Sequence, residues 1–132
     1  MAGPKFHQIT PFMHVPDMQA AIDWFAVLGF EPAFRQWNYA YVSRAGVSVR
    51  VLESCAEDGA PFPPHRGFAY YVDVEDVDTL YAELAPRLTA AGIEFEGLRD
   101  QEYHQRELMI RAPDGNVFVF GMAIPEDKHD NH

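Results

Sequence analysis

Val15-Pro16-Asp17-Met18 and Val74-Glu75-Asp76-Val77, 59 residues apart, are the stretches on which the fold reading turns. Each follows an apolar run of strand composition and puts an Asp where a helix begins. An Asp there can accept hydrogen bonds from the free amides of the first helical turn. Apolar residues then recur at helical spacing: Met18, Ala21, Ile22 and Phe25 in the first copy; Val77, Leu80, Tyr81, Leu84, Leu88 and Ala91 in the second. Each helix closes on a glycine turn into a strand, at Gly29-Phe30-Glu31 and Gly92-Ile93-Glu94. A chain that runs strand–helix–strands twice reads as two copies of one supersecondary unit facing each other across a shared cleft.

The remaining elements follow from local chemistry. Phe6–Val15 reads as the first strand, ending at Pro16. Three strands follow the first helix, at about Phe30–Trp37, Tyr39–Arg44 and Val47–Glu53, with turns at Trp37-Asn38 and Ala45-Gly46. Ala56–Arg66, rich in Pro and Gly, is the one linker-like stretch and separates the copies. The second copy begins with strand Gly67–Val74. Pro86 inside its helical pattern predicts a kink or break near Ala85. Strands at about Ile93–Arg99, Arg106–Arg111 and Asn116–Ala123 complete it, and the polar tail Pro125–His132 is expected to fray. The expected organisation is one α+β domain over residues 1–132, with modules at about 5–55 and 66–124.

Composition narrows the function. At 48% hydrophobic and 23% charged, the 132-residue chain is of globular type and large enough for a real core. No apolar run nears the ~20 residues of a membrane span, and Met1-Ala2-Gly3-Pro4-Lys5 lacks a signal-peptide core, so a cytoplasmic location is expected. One cysteine, Cys55, fits a reducing compartment; set between Glu53 and Glu57 it reads as an inert thiol. A net charge of −10 argues against a nucleic-acid partner and is compatible with cationic small molecules. No Gly-x-Ser-x-Gly, phosphate loop or Cys–His pairing marks a nucleophile.

His14-Val15-Pro16-Asp17-Met18 with Trp24-Phe25 and Leu28-Gly29-Phe30, then Val74-Glu75-Asp76-Val77-Asp78 with Leu80-Tyr81-Ala82-Glu83, stand in a familiar order. Arg106-Glu107-Leu108-Met109-Ile110-Arg111-Ala112-Pro113-Asp114-Gly115-Asn116 is the most specific segment. Together these resemble the vicinal oxygen chelate superfamily, which includes glyoxalase I, extradiol dioxygenases, fosfomycin-resistance enzymes and bleomycin-resistance proteins. The resemblance implies two βαβββ modules forming an open, cleft-bearing barrel. Ala112 stands where the family usually has the first Asp of its Asp-Pro-Asp-Gly-Asn turn. The turn also has a structural logic: Pro113 presets φ, and Asp114-Gly115-Asn116 tolerates positive φ.

In metal-dependent members of that superfamily, a ligand precedes each capping Asp by seven residues and a Glu follows the turn Asn by three. Those positions here are Thr10, Ala69 and Val119. Two of these carry no donor and the third only a hydroxyl, so no metal and no other cofactor is expected. Among the six histidines, His129 and His132 fall in the tail, and His7 and His14, seven apart on one strand, share no face. His65 in the linker and His104 in a loop could line a cleft mouth. With Gln8 they are the candidates for displaced ligands under a rival reading, a metal-dependent lyase, isomerase or dioxygenase.

Aromatic side chains are abundant: two Trp, six Tyr and ten Phe. Strand parity with Thr10 and Ala69 puts Gln8, Phe12, Tyr71 and Val119 on the cleft, while Trp37, Tyr39, Tyr41 and Arg50 come from strands walling the same cavity. These ten form the candidate ligand-binding set, with no catalytic residue among them. Phe25, Phe68, Phe118 and Phe120 are assigned to core. A cleft that keeps its shape but replaces ligands with aromatic groups suits a flat, neutral or cationic molecule. The expectation is a metal-independent binding protein similar to the bleomycin-resistance branch, sequestering a drug unaltered. The resemblance further implies a homodimer with its clefts at the subunit interface.

Overall fold

A computed structural model describes residues 3–125. In order the elements are β1 (Phe12–Val15), α1 (Met18–Val27), β2 (Glu31–Gln36), β3 (Tyr39–Arg44), β4 (Val47–Glu53), β5 (Ala69–Asp73), α2 (Val77–Ala91), β6 (Phe95–Asp100), β7 (Gln105–Arg111) and β8 (Val117–Ala123). They form two four-stranded sheets of identical topology, β1-β4-β3-β2 and β5-β8-β7-β6. In each, the first strand lies parallel to the last and the other pairs are antiparallel. The fold is α+β, two βαβββ modules, and its sheets do not close into a barrel. Among the described residues no helix is long and apolar enough to cross a membrane.

Both helices start as their sequences dictate. Asp17 Oδ1 accepts from Ala20 N at 3.1 Å, and Glu53 Oε2 takes the Met18 amide at 2.9 Å. Asp76 accepts twice from Thr79, from its amide at 3.0 Å and its hydroxyl at 2.8 Å, which holds the Asp76 carboxyl below its usual range. Gly92, at φ 71°, ends α2. After α1, Gly29 has φ 84°, and a Cβ there would stand 2.8 Å from Arg44 Nη1.

Three expectations change. The first strand begins at Phe12, not Phe6, because Pro11 has no N–H to extend the ladder; residues 3–11 run irregularly, with Phe6 93% and Ile9 96% exposed. α2 runs unbroken through Pro86. Ala82 and Pro86 both face solvent, so water can serve the carbonyl that lost its partner. Phe68 is exposed, since β5 begins only after it, and it stands edge-on to Tyr70 at 4.9 Å. The tail from residue 126, with His129 and His132, lies outside the described residues.

The core is one cluster drawn from the helix-facing sides of both sheets. Its centre is a set of edge-to-face rings: Trp24–Phe118 at 5.4 Å, Phe25–Phe30 at 5.5 Å and Phe25–Phe118 at 6.0 Å. Phe118 belongs to β8, so the helix of the first module packs on the sheet of the second. Alternation along the strands therefore buries Met13, Val15, Val49 and Val51 and leaves Phe12, His14 and Arg50 on a face without a helix over it.

Candidate functional site

On the open face of the first sheet, strand register sets Phe12, Arg50, Tyr41 and Phe34 in one row, with His14, Leu52, Tyr39 and Gln36 in the next. The Arg50 guanidinium lies 5.0 Å from the Tyr41 ring centre and 6.0 Å from that of Phe12, and Nη1 donates to Tyr39 Oη at 2.6 Å. Gln8 Nε2 donates to Tyr41 Oη at 2.7 Å and to Thr10 Oγ1 at 2.8 Å. Bonding from Ser48, then Gln8, with Arg50 adding to it, holds the Tyr41 hydroxyl below its ordinary range. Trp37 sits at the β2–β3 turn, 82% exposed. The face is an aromatic floor with a cation held over it, suited to stacking and to polar contacts with a planar molecule.

The open face of the second sheet carries Ala69, Tyr71 and Val119. Tyr71 pairs with Val119, which pairs with Met109; in the next row Asp73, Gly121, Glu107 and Arg99 follow one another. Val119 is buried, and so is Glu107, at 4% exposure the one buried charged side chain among the described residues. Tyr103 Oη donates to Glu107 Oε2 at 2.9 Å, and Tyr71 Oη donates to Gln105 Oε1 at 3.1 Å. Desolvation, then Glu107, pushes both the Tyr71 and Tyr103 hydroxyls above their ordinary range.

The ten candidates thus occupy two faces: Gln8, Thr10, Phe12, Tyr39, Tyr41 and Arg50 on the first, Ala69, Tyr71 and Val119 on the second, and Trp37 at a turn. Only Gln8 and Tyr71 of the ten share a cavity, a crevice of about 280 Å³ that Ser48 and Val72 also line. Larger hollows lie elsewhere. One of about 540 Å³ runs between the β3–β4 turn and the start of α2, with Phe30, Val72 and Phe120 below Asp73, Asp76 and Glu83. There Arg44 Nη2 donates to Glu83 Oε1 at 2.8 Å and keeps that carboxyl below its usual range. Another, about 500 Å³, includes Phe12, His14, Phe62, His65 and Phe68.

Glu107 and Tyr103 escape sequence reasoning that follows metal-ligand positions alone. The available signal was parity: Glu107 stands two residues before Met109, opposite Val119, and so shares its face.

A divalent metal does not fit the positions where the superfamily places its ligands. Ala69 and Val119 offer no donor, and the Thr10 hydroxyl already accepts from Gln8. His65 Nδ1 lies 3.2 Å from Arg66 O, and His104 sits in a turn at φ 67°. Among the described residues, no three His, Cys, Asp or Glu converge on a point that could hold an ion.

Known structures share this architecture. A bleomycin-binding protein from Streptomyces verticillus, solved with copper(II)-bleomycin, superposes with a TM-score of 0.70 over 94% of this chain and 100% of its own, at 23% identity. A glyoxalase/bleomycin resistance protein/dioxygenase from Nocardioides gives 0.68 over 98% and 92%, at 19% identity. A fosfomycin resistance protein from Listeria monocytogenes gives 0.68 over 90% and 92%, at 13% identity. At these identities the likeness shows the fold alone. No curated protein sequence matches significantly. The sequence profile of the Glyoxalase/Bleomycin resistance protein/Dioxygenase superfamily matches residues 5–120, and the chain belongs to that superfamily.

Proposed function

We propose that this protein is a metal-independent binder that sequesters a flat, partly aromatic small molecule, neutral or cationic, without altering it. The observation that carries the reading is the character of the first sheet's open face: Phe12, Tyr41, Tyr39 and Arg50 form an aromatic and cationic floor, while the family's metal positions hold Thr10, Ala69 and Val119. Stacking contributes roughly 0.5–1.5 kcal/mol per ring beyond area burial, so a few contacts support micromolar binding. Bleomycin-type drugs are the first class to try, because bleomycin-binding proteins share the fold. A cytoplasmic location goes with this reading.

The same reading makes the chain a homodimer. Two sheets each leave a face uncovered, and the irregular arm carries Phe6 and Ile9 into solvent. Burying such surface against a second copy is the common closed solution. Light scattering at micromolar concentration is expected to give twice the chain mass of 15.0 kDa; a monomer would remove this part of the proposal. A thermal-shift titration with metal-free bleomycin tests the ligand, with a saturable rise of about 2.7 kcal/mol in stability expected at a hundredfold excess over Kd. No rise with bleomycin or with other cationic aromatics would redirect the reading to a metabolite or protein ligand.

A further inference from the structure

The geometry points to Glu107 as the seat of a ligand cation, an ammonium, amidinium or protonated ring N–H, on the open face of the second sheet. This rests on the small-molecule reading above and specifies the charge of its ligand. Glu107 is buried, yet among the described residues no Lys or Arg lies within ion-pair distance of it. Its cross-strand neighbour Arg99 turns instead to Glu96, at 3.7 Å. The groups facing its carboxylate are neutral hydroxyls, that of Tyr103 bonded at 2.9 Å and that of Tyr71 beside it. A carboxylate taken out of water without a countercharge is costly unless something compensates it, and a cation does so best.

The surroundings are shaped for such a group. Gly121 pairs with Glu107 across β7 and β8, and the Tyr71 ring lies over it; any Cβ at Gly121 would collide with the Tyr71 hydroxyl. Tyr71 is thereby laid down beside the carboxylate, whose Oε2 is held by Tyr103. Both rings are exposed, so a cation reaching Glu107 also meets two π faces. Asp73, in the same row, adds a second negative charge. A ligand N–H would replace the Tyr103 hydroxyl on Oε2, exchanging a neutral donor for a charged one.

The test compares 9-aminoacridine, cationic at pH 7, with acridine, neutral at pH 7 and of almost the same shape, titrated against the full-length protein by fluorescence. The wild type is expected to favour the cation by about tenfold or more. Glu107→Gln should bring the two affinities within about twofold while acridine binding is kept. Tyr103→Phe, which frees Oε2 and leaves the carboxylate, should raise the affinity for 9-aminoacridine alone and serves if the Gln variant does not fold. A preference unchanged in Glu107→Gln, or in Tyr103→Phe where the Gln variant does not fold, overturns the inference but not the small-molecule reading. A change in light-scattering mass with an unchanged preference overturns it too, making Glu107 an interface residue. If neither probe binds the wild type, the inference falls, and the small-molecule reading falls with it only if the bleomycin titration also shows no binding.

Discussion

The two modules share a topology and differ on their open faces. Along the first sheet Arg50 lies on Phe12 and Tyr41 and bonds Tyr39; along the second, Glu107 lies between Tyr103 and the row of Tyr71. The covered faces stayed apolar in both, because both feed one core centred on Phe25 and Phe118. The two copies of the scaffold are thus alike where packing demands it and differ where a face is left open. Here the divergence centres one face on Arg50 and the other on the buried Glu107.

The strongest way to break this comparison is to attack what the modules share. Phe118, fully buried and in ring contact with Trp24 and Phe25 of the other module, should cost about 3–5 kcal/mol as Phe118→Ala. Denaturant unfolding should remain a single transition read by both tryptophan fluorescence and circular dichroism. Two separated transitions would mean that each module has its own core.

A finer comparison sets the helix ends against each other. Gly29 and Gly92 both have positive φ, but a Cβ at Gly29 would also press on Arg44, while Gly92 has open space. Gly92→Ala should cost about 1 kcal/mol from backbone strain, and Gly29→Ala about 2 kcal/mol, because Arg44 must leave Leu28 O and Glu83. Equal costs in thermal melts would remove the Arg44 contact from the account.

The smallest expected effect is one of pH. Burial first, then the 2.5 Å bond to Asp114, raises the Tyr70 hydroxyl far above its ordinary value, and Tyr71 is raised as well, whereas Tyr41 in the first module is lowered. A group raised in the folded state keeps its proton where the unfolded chain loses it. Stability contributed by Tyr70 is therefore complete below about pH 10 and falls as pH rises further, by at most about 1.4 kcal/mol per pH unit for each retained proton. Tyr70→Phe should flatten this alkaline limb. Tyrosinate absorbance should show Tyr41→Phe removing an early-titrating group.

Much of the scaffold was legible because its signals are local. Asp17 and Asp76 cap as expected, and alternation puts Phe12 and Tyr71 on the open faces, while Arg50 could be assigned only to a strand, not to a face. The failures have local causes of another kind: Pro11 removes the donor that would lengthen β1, and solvent beside Ala82 lets α2 pass Pro86. The site was less legible. Parity says which residues share a face, but not that Glu107 is sealed by Tyr103, a contact set by the turn at residues 101–104. Nor does it say that helix-side packing merges the two modules.

Titration of chelator-treated protein with metal-free bleomycin, followed by tryptophan fluorescence and then by mass spectrometry of the recovered ligand, tests the central claim most directly. The account predicts saturable quenching that needs no metal, weakening in Trp37→Ala without loss of folding, and ligand recovered unchanged. Quenching that appears only when a divalent metal is restored, or ligand recovered chemically altered, would contradict it.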